Sequence, residues 1–218
     1  MNENLTELVF IVDRSGSMAG MESDTIGGVN AVLEQNRKLE GDALVSVVLF
    51  DHETNVLRDR EDIQKVPNLT DRDYQVRGCT ALLDAVGGSV RFVDKIQRYL
   101  PEDIRPGKTV FVITTDGYEN ASKKFTYSQV KRLIERKTED GWEFLFLGAN
   151  IDAAAEAERI GIASDRAETY VNDSIGNQVM YDAIADATMG MRSAPAGAPR
   201  MDGGWKRKIL RDRARRGK

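Results

Sequence analysis

Four apolar, largely β-branched runs constrain this chain most: Leu5–Val12 (LTELVFIV), Ala43–Phe50 (ALVSVVLF), Lys108–Thr115 (KTVFVITT) and Trp142–Leu147 (WEFLFL). Nearly continuous apolar character over so few residues marks strands buried on both faces. Segments of helical period separate them. Ile26, Val29 and Leu33 form one, stopped at Gly41, and Leu83, Val86, Val90, Val93 and Ile96 form a longer one that ends before Pro101. Val130, Leu133 and Ile134 mark a third, Asp152–Ile160 is Ala-rich, and Ile175, Val179, Ala183, Ala187 and Met191 describe the last. Asp51-His52-Glu53 can turn the chain into a short hairpin strand near Thr54–Leu57 at a sheet edge, and another short strand fits Thr169–Val171. Pro67–Gly78 is polar and reads as loop or short helix. Gly87-Gly88 inside the long helix costs helix propensity and predicts close packing against the sheet. Strands that alternate with helices need crossover connections. The expected fold class is therefore α/β: a doubly wound, mostly parallel sheet with helices on both faces.

Composition narrows the setting. A single cysteine, Cys79, excludes a disulfide framework and fits a reducing, cytoplasmic compartment. No apolar run approaches the roughly 20 residues that span a bilayer, and Met1-Asn2-Glu3-Asn4 lacks the basic-then-apolar order of a secretory leader, so no membrane partner is expected. The formal net charge of −4 hides an asymmetry. Residues 206–218 carry eight Lys/Arg and one Asp, a net of +7, which leaves −11 on the 205 residues before them. The expected organisation is a domain over 1–190, a Pro/Gly/Ala linker over 191–205 and a basic tail over 206–218. That tail suits nucleic acid, an acidic protein surface or the acidic body of the domain itself, or else is a solvated terminus. Trp205 reads as an anchor for the linker.

The chemistry concentrates where strands end. The first strand runs into Asp13-Arg14-Ser15-Gly16-Ser17, with three oxygen-bearing side chains at alternate positions. An extended loop turns all three to one side, giving a carboxylate and two hydroxyls, a hard-oxygen set suited to Mg²⁺ or Mn²⁺ and poorly suited to Zn²⁺. Alone, the segment reads equally well as a Ser/Gly turn before a helix. Two distant elements add to it: the Lys108–Thr115 strand runs into Asp116, and the long helix opens at Gly78-Cys79-Thr80. If the first strand and the Lys108–Thr115 strand flank the point where strand order reverses, Asp13, Ser15, Ser17, Thr80 and Asp116 converge at the ligand crevice.

This constellation resembles the metal-ion-dependent adhesion site of von Willebrand factor type A domains, of the intracellular prokaryotic or phage type. Asp13, Ser15 and Ser17 match that family's D-x-S-x-S motif, Thr80 its loop threonine and Asp116 its late aspartate, across roughly residues 5–190. The resemblance implies a Rossmann-like sheet with one antiparallel edge strand. It also implies that Ser15, Ser17 and Thr80 bind a cation directly, while Asp13 and Asp116 bind directly or through water. The implied ion is Mg²⁺, with Mn²⁺ or Ca²⁺ as alternatives, and a partner protein's Asp or Glu carboxylate completes its coordination. The dipole of the helix after Thr80 is expected to favour that carboxylate.

The rival reading is an enzyme. A carboxylate after the first strand of a Rossmann-like domain also suits Mg²⁺-dependent phosphotransfer through an aspartyl nucleophile. Phosphatases resembling the haloacid dehalogenases need a second acid two residues on, where Ser15 stands. Phosphate-loop, dinucleotide and nucleophile-elbow motifs are missing, and His52, a hairpin-turn residue, has no evident partner as a base. Cys79 is expected to be a small loop residue, and the chain a binding module.

Overall fold

In a computed structural model, residues 1–195 and 203–217 are described. Six strands form one sheet: β1 (Asn2–Asp13), β2 (Asp42–Phe50), β3 (Thr54–Asp62), β4 (Pro106–Thr115), β5 (Glu143–Ala149) and β6 (Ala167–Tyr170). Their spatial order is β3-β2-β1-β4-β5-β6, with every pair parallel except β2 and β3. The α/β expectation, with one antiparallel edge strand, is met.

Pleating explains why the central strands read as unbroken apolar runs. Leu8, Phe10 and Val12 of β1 point to one face and Val9 and Ile11 to the other, each into its own core. The first face is covered by α1 (Glu22–Arg37) and α5 (Ser174–Ser193). The second is covered by α2 (Leu82–Tyr99), α3 (Tyr127–Glu139) and α4 (Ala153–Arg159). Thr126 closes a capping box with Gln129 at the start of α3, and Asp152 and Asp173 cap α4 and α5 with their side chains.

Three expectations change. First, β3 runs on to Asp62. Its second half, Arg58-Asp59-Arg60-Glu61-Asp62, shows no apolar alternation because an edge strand needs little burial. Pairing with β2 is irregular there, and Arg60, at φ +53, reaches inward to Glu7 on β1. Second, Gly87 makes room for Phe125 from the loop before α3, with a Cβ position 2.6 Å from its ring, and not for the sheet. Gly88 faces open space.

Third, the basic terminus is not a free tail. α5 continues to Ser193, past the expected boundary at 190. Within the expected linker, residues 196–202 lie outside the described residues, and 203–205 already belong to a 3-10 turn. α6 (Arg207–Arg215) then packs beside β6 and α5, with Ile209 and Trp205 buried in the first core. Trp205 Nε1 donates to the Asp165 carbonyl at 3.0 Å, in keeping with its reading as an anchor. Lys206 and Arg213 pair with Glu168, Lys208 with Asp186, and Arg216 with Asp173 and Asp212. Of the acceptors considered for the tail, the acidic body takes one of its faces. The missing sequence signal has a plain cause: nine residues with two buried side chains nearby do not establish an apolar stripe.

Candidate metal centre

β1 and β4 are neighbours at the place where the winding reverses, so their C-terminal ends open on the crevice of the fold. Asp13 ends β1 fully buried. Its Oδ1 accepts the Ser15 backbone N–H at 2.7 Å, folding the loop back on itself, and its Oδ2 accepts the Thr115 hydroxyl at 2.6 Å. The Tyr74 hydroxyl donates to the Asp13 carbonyl. Ser15 Oγ and Ser17 Oγ lie 3.1 Å apart, and Ser17 Oγ donates to Asp116 Oδ1. Thr80 faces the same space from the far side: its Oγ1 and Ser17 Oγ stand 3.6 and 3.7 Å from the position of a Cβ on Gly117. All five expected residues meet. Ser17 is exposed while the other four are buried, so the cluster opens to solvent on one side.

The loops are held by bonds that the sequence does not reveal. Gly16 N–H donates to the Gly78 carbonyl at 3.0 Å, joining the first loop to the Thr80 loop. Gly78 needs its φ of +69, and a Cβ there would stand 2.2 Å from His52 Nδ1. Asn120 accepts the Thr80 N–H at 2.9 Å and returns its own N–H to the Thr80 carbonyl. Glu119 accepts the Leu83 N–H and Ser122 Oγ the Asp84 N–H, so the loop after β4 caps α2. These contacts correct the expectation that the α2 dipole is open to a partner's carboxylate: this chain's own Glu119 occupies that end. Asn172, in the loop after β6, donates to Asp116 Oδ2 at 3.3 Å, and its own Oδ1 is buried without a partner. A lone Asn in a loop carries no motif, so only the fold brings it to the site.

The electrostatics suit a cation. Burial pushes the Asp13 carboxyl above its ordinary range, against the Thr115 hydroxyl and Ser15 N–H, and the nearby Asp116 charge adds to the rise. Burial likewise raises Asp116, against hydrogen bonds from Ser17 and Asn172. No Lys or Arg among the described residues pairs with either group. Two buried carboxylates facing three hydroxyls lack only positive charge. The donor set is all oxygen, and octahedral bonds of 2.0–2.1 Å put adjacent ligands about 2.9 Å apart, close to the Ser15–Ser17 spacing. The arrangement fits a divalent cation.

A second group, Asp51, His52 and Glu53, also brings three potential ligand atoms within 4.8 Å of one another. Its chemistry differs. Asp51 Oδ2 accepts Arg14 Nε at 2.9 Å and Arg77 Nε at 2.8 Å, and its Oδ1 accepts the Glu53 N–H at 2.7 Å. Burial alone would raise the Asp51 carboxyl, but the Glu53 N–H, Arg77 and Arg14 together hold it below its ordinary value. Two guanidiniums already neutralise this group, which ties the first loop to the Thr80 loop. His52 Nδ1 sits 3.0 Å from Asp51 Oδ1 in the β2–β3 turn.

No protein-family model and no curated protein matches this chain. Solved structures do match. A von Willebrand factor type A protein from Catenulispora acidiphila superposes with a TM-score of 0.57 at 17% identity, over 85% of this chain and 43% of that one. Proximal thread matrix protein 1 from the mussel byssus, with a zinc-occupied MIDAS motif, gives 0.57 at 14% identity, over 84% and 45%. The open conformation of the pilus adhesin SpaC from Lactobacillus rhamnosus GG gives 0.61 at 13%, over 83% and 29%. The chain thus spans less than half the length of each. At these identities the likeness concerns the fold.

Proposed function

We propose that this chain, which has the von Willebrand factor type A fold, is a non-enzymatic protein-binding module that works through a divalent cation held by Asp13, Ser15, Ser17, Thr80 and Asp116. The observation that carries the reading is the meeting of these side chains, from three separate loops, around buried carboxylates that have no counter-charge among the described residues. Neutral hydroxyls leave the cation most of its charge. Mg²⁺ suits the oxygen set best, and it keeps water positions that an incoming oxygen can take. An Asp or Glu carboxylate from a partner is the natural occupant, entering on the side where Ser17 is exposed. SpaC is a pilus adhesin, which accords with an adhesive use of this fold.

A phosphotransfer enzyme is less well supported: Ser15 stands where the second acid is needed, and the nearest imidazole, His52, turns toward Asp51. The unpaired, exposed Cys79 fits a cytoplasmic setting, and among the described residues no helix is long and apolar enough to cross a membrane. Calorimetric titration of Mg²⁺ and Mn²⁺ into the wild type and Asp13→Ala tests the metal. Binding is expected only in the former, and equal binding by both refutes the assignment. Capture of partners from the host with Mg²⁺, compared with chelator, then tests adhesion.

A further inference from the structure

The four basic side chains that α6 and its preceding turn send to the body leave three others behind. Arg207, Arg211 and Arg215 are exposed, and among the described residues none meets a carboxylate. They recur every fourth residue, so they form one stripe with about 6 Å of rise between successive guanidiniums. We propose that this stripe binds the phosphodiester backbone of a nucleic acid.

The stripe is placed at an electrostatic cost. Like charges at i, i+4 destabilise a helix, and Arg207 sits in the first turn, where the dipole disfavours cations and where α6 has no acidic residue. Among the described residues nothing offsets that cost on the outward side. On the inward side the charges balance: Lys206, Lys208, Arg213 and Arg216 face Glu168, Asp186, Asp173 and the helix's own Asp212. Docking therefore converts a +7 terminus into a helix with one neutral face and one cationic edge. Among the described residues of this segment, the cations left without a carboxylate are all arginines, whose planar fork grips phosphate oxygens in pairs. A membrane surface suits the helix less well. Trp205 and Ile209 are turned into the core, and the outer face shows a single large apolar side chain, Leu210, at 43% exposure. α6 carries no aromatic side chain to stack on bases, and a single row of guanidiniums on one helix edge suits contact with the backbone, independent of sequence.

The test is fluorescence anisotropy of labelled duplex DNA, single-stranded DNA and RNA with the full chain, as a function of salt. Three phosphate contacts predict a log–log slope near −2 for single strands and near −3 for duplex, or a roughly 20- to 40-fold loss between 50 and 200 mM salt. Arg207→Gln/Arg211→Gln/Arg215→Gln should lose at least ten-fold at low salt while keeping the wild-type melting temperature. A charge-matched control, Lys65→Gln/Lys123→Gln/Lys124→Gln, should stay within about two-fold, because it removes the same net charge away from the stripe. Binding should persist in Asp13→Ala and in chelator, which separates this site from the metal centre. Any of three results overturns the proposal: no binding at low salt by the wild type, equal loss in the control, or retention of anionic vesicles with no binding of nucleic acid.

Discussion

Adding a divalent cation should raise the thermal stability of this protein, and Asp13→Asn should abolish the gain. In the metal-free chain two carboxylates are held close together, Asp13 fully buried and Asp116 nearly so, with hydroxyls and N–H groups as their partners among the described residues. A cation that binds the folded chain alone stabilises it by RT ln(1 + [L]/Kd), about 2.7 kcal/mol at one hundred times Kd. For a chain of 218 residues each kcal/mol moves the midpoint by about 2–4 °C, so the expected shift is about 5–11 °C. The amide is isosteric with the carboxylate and removes one of the two facing charges. Thr115 can keep its contact, because its hydroxyl also reaches the Gly117 carbonyl at 3.1 Å and so can accept from the amide. The metal-free variant should therefore melt at or above the metal-free wild type and gain nothing from the ion. Thermal melts in chelator and in Mg²⁺, Mn²⁺, Ca²⁺ and Zn²⁺ read this directly. A wild type that no ion shifts at about 10 mM, ten times the weakest dissociation constants typical of such oxygen sites, holds no cation there. An equal shift in Asp13→Asn places the ion elsewhere.

Asn172→Ala should leave the melting curve of the metal-free protein nearly unchanged yet weaken cation binding about 10-fold by calorimetry, since the side chain orients Asp116. Arg60→Ala leaves the Glu7 carboxylate in the core with Gln97 as its remaining side-chain partner among the described residues, and should cost about 3 kcal/mol in urea unfolding, with Glu7→Gln restoring part of it. Burial holds the Glu7 pKa above its ordinary 4.5, so that cost should shrink as pH falls and Glu7 protonates. Asp51 has the opposite sign. Its folded pKa lies below the ordinary 3.8, so its contribution is present above that value and is lost as pH falls through the folded one; Asp51→Asn should flatten the acid limb of stability between roughly pH 5 and 2. Ile209→Ala should release α6 to limited proteolysis while the midpoint of the main transition stays near wild type, because the helix packs on the edge of the sheet beside β6.

Much of the fold was legible because its signals are local. Both faces of β1, β2, β4 and β5 are buried over most of their length, and the sequence shows that as nearly continuous apolar runs. The five site residues were legible for a related reason: parallel strands must deliver their C-terminal ends to one edge, so Asp13 and Asp116 directly after two such strands were bound to be near each other once β1 and β4 paired. What stayed hidden is non-local. Asn172 and Asn120 reach the site from loops of unremarkable composition, and Arg14 resembles part of a metal loop until Asp51, thirty-seven residues on, takes its guanidinium. The polar half of β3 looks like loop because an edge strand with one partner needs hydrogen bonds more than burial.

The basic terminus shows the division most clearly. Its charge is a property of the sequence, and so is its surplus over the acidic body. Which charges are spent inside the molecule and which face outward depended on where Glu168, Asp173 and Asp186 stand after β6 and α5 have folded. Sequence periodicity determined the strands, the helices and the edge at which a cation can sit, since burial writes itself into neighbouring residues. Tertiary structure alone decided the helical docking of the terminus and the counter-charges of the site, because those depend on residues brought together from far along the chain.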